Sequence, residues 1–265
     1  MKLRSRLGVW MCLAGLWPAH ALALGPGDIM FTAFNADEDG WSIVALVDLA
    51  PETRIHFSDN NYTGGVFASG EGYLRWTVGA DKVAAGTVVR FSAIDSALSL
   101  GVSQGLLERL QVAGSTAPNL SQTADTLYAY LATDPTRPQV FLAAVSNGGL
   151  LAAVGSIADT GLAAAATAVS LPLGVDYAEF GGARDVPTAA QPLQQLLGAA
   201  AAWTAQDAGV FVGVAPSVEP FDVTPVPEPA AWWLAAAGAA ALRLWRGKRL
   251  VQTPAQRAWQ SQSFL

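Results

Sequence analysis

Apolar and polar positions in the first half of the chain fall into short runs separated by turn residues. Residues 28–34 (DIMFTAF) and 41–47 (WSIVALV) are largely apolar. Residues 53–58 (TRIHFS) alternate with period two, and 72–78 (GYLRWTV) and 86–92 (GTVVRFS) repeat the alternation. Such runs predict strands. The residues between them have turn chemistry: Asp39-Gly40, Pro51-Glu52, Asp59-Asn60-Asn61, Gly64-Gly65 and Ala84-Ala85-Gly86. Several short strands at close spacing predict a β-sandwich. In the second half, 125–131 (DTLYAYL) and 139–145 (QVFLAAV) read as further strands. Leu193, Leu196, Leu197 and Ala200 follow i, i+3, i+4, i+7, which predicts one helix capped by Thr188 with its apolar stripe on the core. Pro192 falls early enough in that helix to be tolerated. Residues 214–226 hold Pro216, Pro220 and Pro225 among few other signals and read as a linker. The expectation is a mainly β domain over 24–213 with a few helices.

The two ends follow other patterns. Lys2, Arg4 and Arg6 precede an apolar stretch over 7–17, and Ala21-Leu22-Ala23 supplies the small residues that signal peptidase requires. Residues 1–23 are therefore expected to be a secretory signal peptide. Near the other end, Pro227-Glu228-Pro229 cannot continue a helix or a strand, because its prolines fix φ and lack N–H groups. An apolar run follows, and as a helix 230–245 would span roughly 24 Å at about 1.5 Å per residue. Trp232 and Trp233 stand at one end of it and Trp245 at the other, where an aromatic belt belongs. This segment is expected to be a single transmembrane helix. Arg243, Arg246, Lys248 and Arg249 form a basic cluster that should stay cytoplasmic and leave the residues before Pro227 outside. A polar tail, 250–265, follows.

The order of motif, apolar run and basic cluster over 227–249 resembles the PEP-CTERM sorting signal of bacterial surface proteins. The resemblance implies recognition and processing by an exosortase-type membrane enzyme. It also implies residence at the inner membrane at least transiently, then at the cell surface or in the extracellular matrix, with extracellular polysaccharide as a partner. A second resemblance rests on GDIMFTAFNADEDGWSIVALVDLAPETRIHFSDNNYTGG, EGYLRWTV and AAGTVVRFS, over about 27–92. This series is similar to lamin-tail-like, immunoglobulin-type domains of secreted bacterial proteins. Together the resemblances imply a non-catalytic exported protein.

Charge sharpens the picture. Residues 24–224 carry seven basic and 20 acidic side chains, a net charge of −13 that the overall −6 conceals. Such a surface repels nucleic acid and anionic lipid, and suits divalent cations or neutral polysaccharide. The only cysteine, Cys12, lies in the leader, so the processed chain has no disulfide and no thiolate.

Candidate chemistry is sparse. His56 is the only histidine beyond the leader and sits in a strand pattern, where a structural role is expected. No clustered zinc ligands or phosphate-binding glycine loop accompanies it. No catalytic set is assigned. Acidic residues are plentiful, so a secreted hydrolase using a carboxylate pair stays open as an alternative. The other alternative is a carbohydrate- or calcium-binding adhesion module. Asn35, Asp37 and Asp39, with Gly40 behind them, match positions 1, 3, 5 and 6 of a calcium loop, but position 12 is Leu46. The same residues fit a polar hairpin turn. Trp41, Tyr62, Phe67, Tyr73 and Trp76 could form a glycan platform, although core packing accounts for most of them.

Overall fold

The computed structural model describes residues 23–224. The leader up to residue 22, Pro227-Glu228-Pro229, the apolar run 230–245 and the cluster Arg243, Arg246, Lys248 and Arg249 lie outside them. Among the described residues no helix is long and apolar enough to cross a membrane.

The strands in chain order are β1 (Ile29–Asn35), β2 (Gly40–Ala45), β3 (Arg54–Ser58), β4 (Tyr62–Thr63), β5 (Val66–Phe67), β6 (Tyr73–Thr77), β7 (Val88–Ser92) and β8 (Gly101–Val102). They continue with β9 (Leu106–Arg109), β10 (Thr126–Leu131), β11 (Val140–Ser146), β12 (Ala168–Ser170), β13 (Tyr177–Phe180), β14 (Thr188–Ala189), β15 (Trp203–Gln206) and β16 (Val223–Thr224). One helix, α1 (Ala190–Gly198), precedes a 3-10 turn at Ala200–Ala202. Two six-stranded sheets dominate, ordered β15-β13-β1-β2-β7-β8 and β12-β11-β10-β3-β6-β9. All their pairings are antiparallel except β11 with β12.

The sheets form a sandwich because their inward side chains are large and aromatic. Phe31, Trp41 and Phe91 of the first sheet meet Phe57 and Trp76 of the second in one fully buried cluster. Trp41 and Phe57 lie 5.1 Å apart between ring centroids, Phe57 and Phe91 5.0 Å, and Trp76 and Phe91 5.7 Å in a T-shaped pair. These tilted and edge-on geometries are the favourable ones for aromatic quadrupoles. The second sheet is also covered on its outer face. There Phe67, Tyr73, Tyr128, Tyr130 and Phe141 make a second cluster with Leu162. The β4–β5 hairpin supplies Phe67 to it, with Tyr62 packing alongside.

Two details differ from the sequence expectation. The cap of α1 is Ala189, with no side-chain hydrogen bond, and Thr188 instead lies in β14 with its hydroxyl donating to Val186 O. Leu193 and Leu197 are buried, whereas Leu196 is exposed and Ala200 has left the helix, so the apolar stripe is narrower than its spacing indicated. The second concerns the linker expected from residue 214. Residues 214–223 belong to the same compact unit as the sandwich. Asn35 Nδ2 donates to Val214 O, Phe221 N donates to Gly86 O, and the Phe221 ring is buried against Phe180 under the Arg184 guanidinium. Gly86, at φ +88°, accommodates this contact, since a Cβ there would collide with the Phe221 carbonyl. Prolines kept this stretch out of the two large sheets, leaving only Val223 to pair in the small β14–β16 sheet, but did not keep it off the domain.

The registers give the sandwich two distinct poles. β1 runs from Ile29, opposite Ala45, to Asn35, opposite Gly40. At the Ala45 pole, Leu46 N donates to Asp28 O, Gly86 N donates to Ala45 O, and Phe221 N reaches Gly86. Both the first and the last described residues of the domain therefore lie at that pole. The hairpin turn at Asn35–Gly40 marks the other.

Candidate functional site at the acidic pole

The pole opposite the chain ends collects acidic side chains for a topological reason. Polar residues close the β1–β2 hairpin, end β3, begin β6 and precede β10, and all four of these places lie at that pole. They bring Asp37, Glu38, Asp39, Asp59, Glu71 and Asp125 there from separate parts of the chain. Asp95 and Arg109 come close to Asp39. Asp176 lies near Asp37 and Asp207.

An irregular segment, residues 110–124 between β9 and β10, crosses this pole. Beyond Leu110, whose N–H still reaches Tyr73 O, it has no ladder partners, and its backbone N–H groups need acceptors from elsewhere. Three successive ones find carboxylates. Asn119 N donates to Asp59 Oδ2 at 3.4 Å, Leu120 N to Asp39 Oδ1 at 2.5 Å, and Ser121 N to Asp125 Oδ2 at 3.0 Å. The Leu120 side chain is buried in the main core. Gln122 Nε2 donates to Asp37 Oδ1, and Asn147 Nδ2 donates to Ser121 O at 2.8 Å. Pro118 passes directly over Gly72, where any Cβ would collide with it. Asp39 belongs to the first sheet and Asp59 and Asp125 to the second, so the strap ties the two sheets together at this pole.

Burial sets the proton affinities. Asp39, at φ +50° in the hairpin turn, is pushed up to about 6 by burial, and nearby Asp95 and Glu38 raise it further against the opposing Leu120 N–H and Arg109. Burial pushes Asp125 up to about 7, with Glu71 and Asp39 adding repulsion and the N–H groups of Ser121 and Thr126 opposing. Asp59 is held well above the ordinary carboxylate range by burial, then by Asp125 and Glu71. Burial also raises Glu71.

The calcium-loop residues occupy this pole with defined partners. Asn35 Oδ1 accepts the N–H groups of Asp37 and Glu38, both at 3.1 Å, and its Nδ2 donates to Phe211 O and Val214 O. Its amide is fully used in shaping the turn and holding residues 211–214. Asp37 Oδ2 accepts from Phe211 N at 2.7 Å, while Asp39 faces Leu120. The three side chains share a turn but address different segments. Among the described residues no three Asp, Glu, His or Cys side chains group as a metal-binding set.

The aromatic residues weighed as a glycan platform are mostly interior. Trp41, Phe67, Tyr73 and Trp76 are buried, leaving Tyr62 partly exposed. His56 is buried on the outer face of the second sheet, stacked on Tyr130 at 5.5 Å. Burial lowers it to about 4, with Arg75 and Arg54 adding to the effect, and its Nδ1 has no hydrogen-bond partner. A neutral imidazole without an acidic partner is a packing element here.

Sequence reasoning singled out Asp37 and Asp39 but missed Asp59, Asp125 and the strap. A local signal for the pair did exist, since Asp59 directly follows one predicted strand and Asp125 opens another. No family model, curated protein or solved structure matches the chain.

Proposed function

We propose that this chain is a non-catalytic exported protein of the cell surface or extracellular polysaccharide. In this reading signal peptidase removes 1–23, the helix 230–245 holds the chain in the inner membrane with Arg243–Arg249 inside, and an exosortase-type enzyme acts at Pro227-Glu228-Pro229. The domain is read as a lamin-tail-like, immunoglobulin-type sandwich.

The observation that best supports this reading is the polarity of the sandwich. Its first and last described strands' chain ends meet at one pole, and its acidic surface lies at the other. A domain tethered through residues beyond Thr224 would therefore present its carboxylates away from the tether. Such a surface suits hydrated neutral polysaccharide better than anionic lipid. The adhesion alternative would use this same pole, with Asn35, Asp37 and Asp39 as its calcium ligands.

The test is fractionation of producing cells with a tag placed before Pro227, combined with mass analysis of the released C-terminus. Processing is expected to release a tagged species ending near Pro227. Replacing Pro227, Glu228 and Pro229 by alanine should retain full-length protein in the inner membrane. Unchanged release from that variant would overturn the sorting reading.

A further inference from the structure

The strap at the acidic pole has an unusual set of anchors. Its three successive N–H groups are held by three different carboxyl groups, and those come from both sheets. A strap of this length could have been held by neutral acceptors such as backbone carbonyls. Asn147 shows this nearby, with its Oδ1 accepting Asp125 N and its Nδ2 donating to Ser121 O and Val175 O. Here the acceptors are titratable and close to one another, Asp59 and Asp125 being buried and Asp39 half-buried.

We propose that residues 119–121 form a proton-gated latch: it is shut while Asp39, Asp59 and Asp125 share protons, and it loosens as they ionise, uncovering the carboxylates of this pole. The charged surroundings set the direction. Asp39 faces Asp95, Glu38 and the guanidinium of Arg109. Asp59 faces Asp125 and Glu71, and Asp125 faces Glu71 and Asp39. Tyr73 and Tyr128 lie beside Asp59 and Asp125 as neutral phenols. Arg109 is the one cation among these groups, and its guanidinium is committed to Ile94 O. Each further ionisation therefore adds a like charge to a poorly hydrated cluster. A protonated carboxyl still accepts an N–H through its carbonyl oxygen. Full ionisation is relieved only by letting water or cations in, which requires the strap to lift. The raised proton affinities place this change between mildly acid and mildly alkaline pH.

Structure beneath the strap makes such a local opening separable from unfolding. Residues 110–124 contribute one side chain, Leu120, to the buried main core, whereas β10 and β11 are buried along nearly their whole length. Low-stability segments open independently of the core around them.

Amide hydrogen exchange on the full chain tests this, with rates corrected for the intrinsic pH dependence. Protection at Asn119, Leu120 and Ser121 is expected to fall about tenfold from pH 5.5 to pH 8, while amides of β10 and β11 keep theirs. Asp39→Asn keeps an acceptor for Leu120 and removes one charge, so it should flatten that dependence. Carbon-13 titration of the carboxyl groups in the wild-type chain supplies a measurement that needs no variant. Constant protection across this range, a fall shared equally by β10 and β11, or carboxyl groups that all titrate near pH 4 would overturn the latch.

Discussion

Asp39 of the first sheet accepts the N–H of Leu120 at 2.5 Å, and the Leu120 side chain is buried in the core shared by both sheets. One residue of an irregular strap thus joins a hairpin turn by its backbone and the sandwich interior by its side chain. Leu120→Ala should remove the second attachment and leave a cavity, lowering the unfolding free energy by about 3 kcal/mol. Denaturant titration measures this, and a loss comparable to that of an exposed site such as Leu98, below about 0.5 kcal/mol, would contradict the anchoring role.

Thermal stability should rise on mild acidification. Asp39 and Asp125 hold their protons to about 6 and about 7 when folded, against 3.8 for an ordinary aspartate. A raised folded-state value means that the stability these groups contribute is fully present below about pH 4 and is lost as pH rises through their folded values. Asp59 acts in the same direction. Calorimetry at constant ionic strength should give a higher melting temperature at pH 5.5 than at pH 8, by a few degrees.

His56 works against that trend. Its folded value of about 4 lies below the ordinary 6.5, so its contribution is present above pH 6.5 and is lost as pH falls towards 4. Its unpaired Nδ1 and its stack on Tyr130 make it replaceable by an aromatic hydrocarbon. His56→Phe should keep neutral-pH stability within about 1 kcal/mol and increase stability at pH 5 relative to wild type. A parallel pH profile for the two proteins would show that the imidazole is not held neutral.

Gly86→Ala should detach residues 214–223. The substitution meets both a positive φ and the Phe221 carbonyl. Backbone strain of that kind costs on the order of 1–3 kcal/mol. Limited proteolysis should then cut within 214–223 while sparing β1 and β10. Resistance equal to wild type would mean that the contact is dispensable.

Calcium provides a separate test of the hairpin turn. The Asn35 amide is consumed by hydrogen bonds, and Asp37 and Asp39 hold different segments. Calcium and magnesium at equal concentration should therefore raise the melting temperature equally, by screening a crowded acidic surface. A larger rise with calcium, abolished by Asp37→Asn, would establish the turn as a calcium site instead.

How much of this was legible depended on sequence distance. The runs at 28–34, 41–47, 53–58, 72–78, 86–92, 125–131 and 139–145 carry their own period and turns, and each overlaps an observed strand to within a residue or two at its ends. β12, β13 and β15 span only three or four residues, too few for a period to stand out, and sheet position is what makes them strands. The strap was illegible for a different reason. Asp39, Asp59 and Asp125 are separated by whole strands, and their common target at 119–121 has no pattern of its own. The pairing of β3 with β10 brings Asp59 and Asp125 together, and the packing of the two sheets face to face sets the β1–β2 hairpin with Asp39 beside them.

The docking of Phe221 on Gly86 also fixes how the domain responds to force. A pull on the chain beyond Thr224 first meets the β14–β16 pair, where Thr188 N donates to Asp222 O and Asp222 N to Arg184 O, then the Phe221 N–H on Gly86, and after these the Asn35 amide on Val214 and Phe211. These give way one at a time, as a zipper does. The sandwich behind them, with β1 and β2 in the middle of its sheet, is loaded only when that slack has been drawn out. Residues 211–223 would thus yield in steps before the β core when the chain is pulled from beyond Thr224.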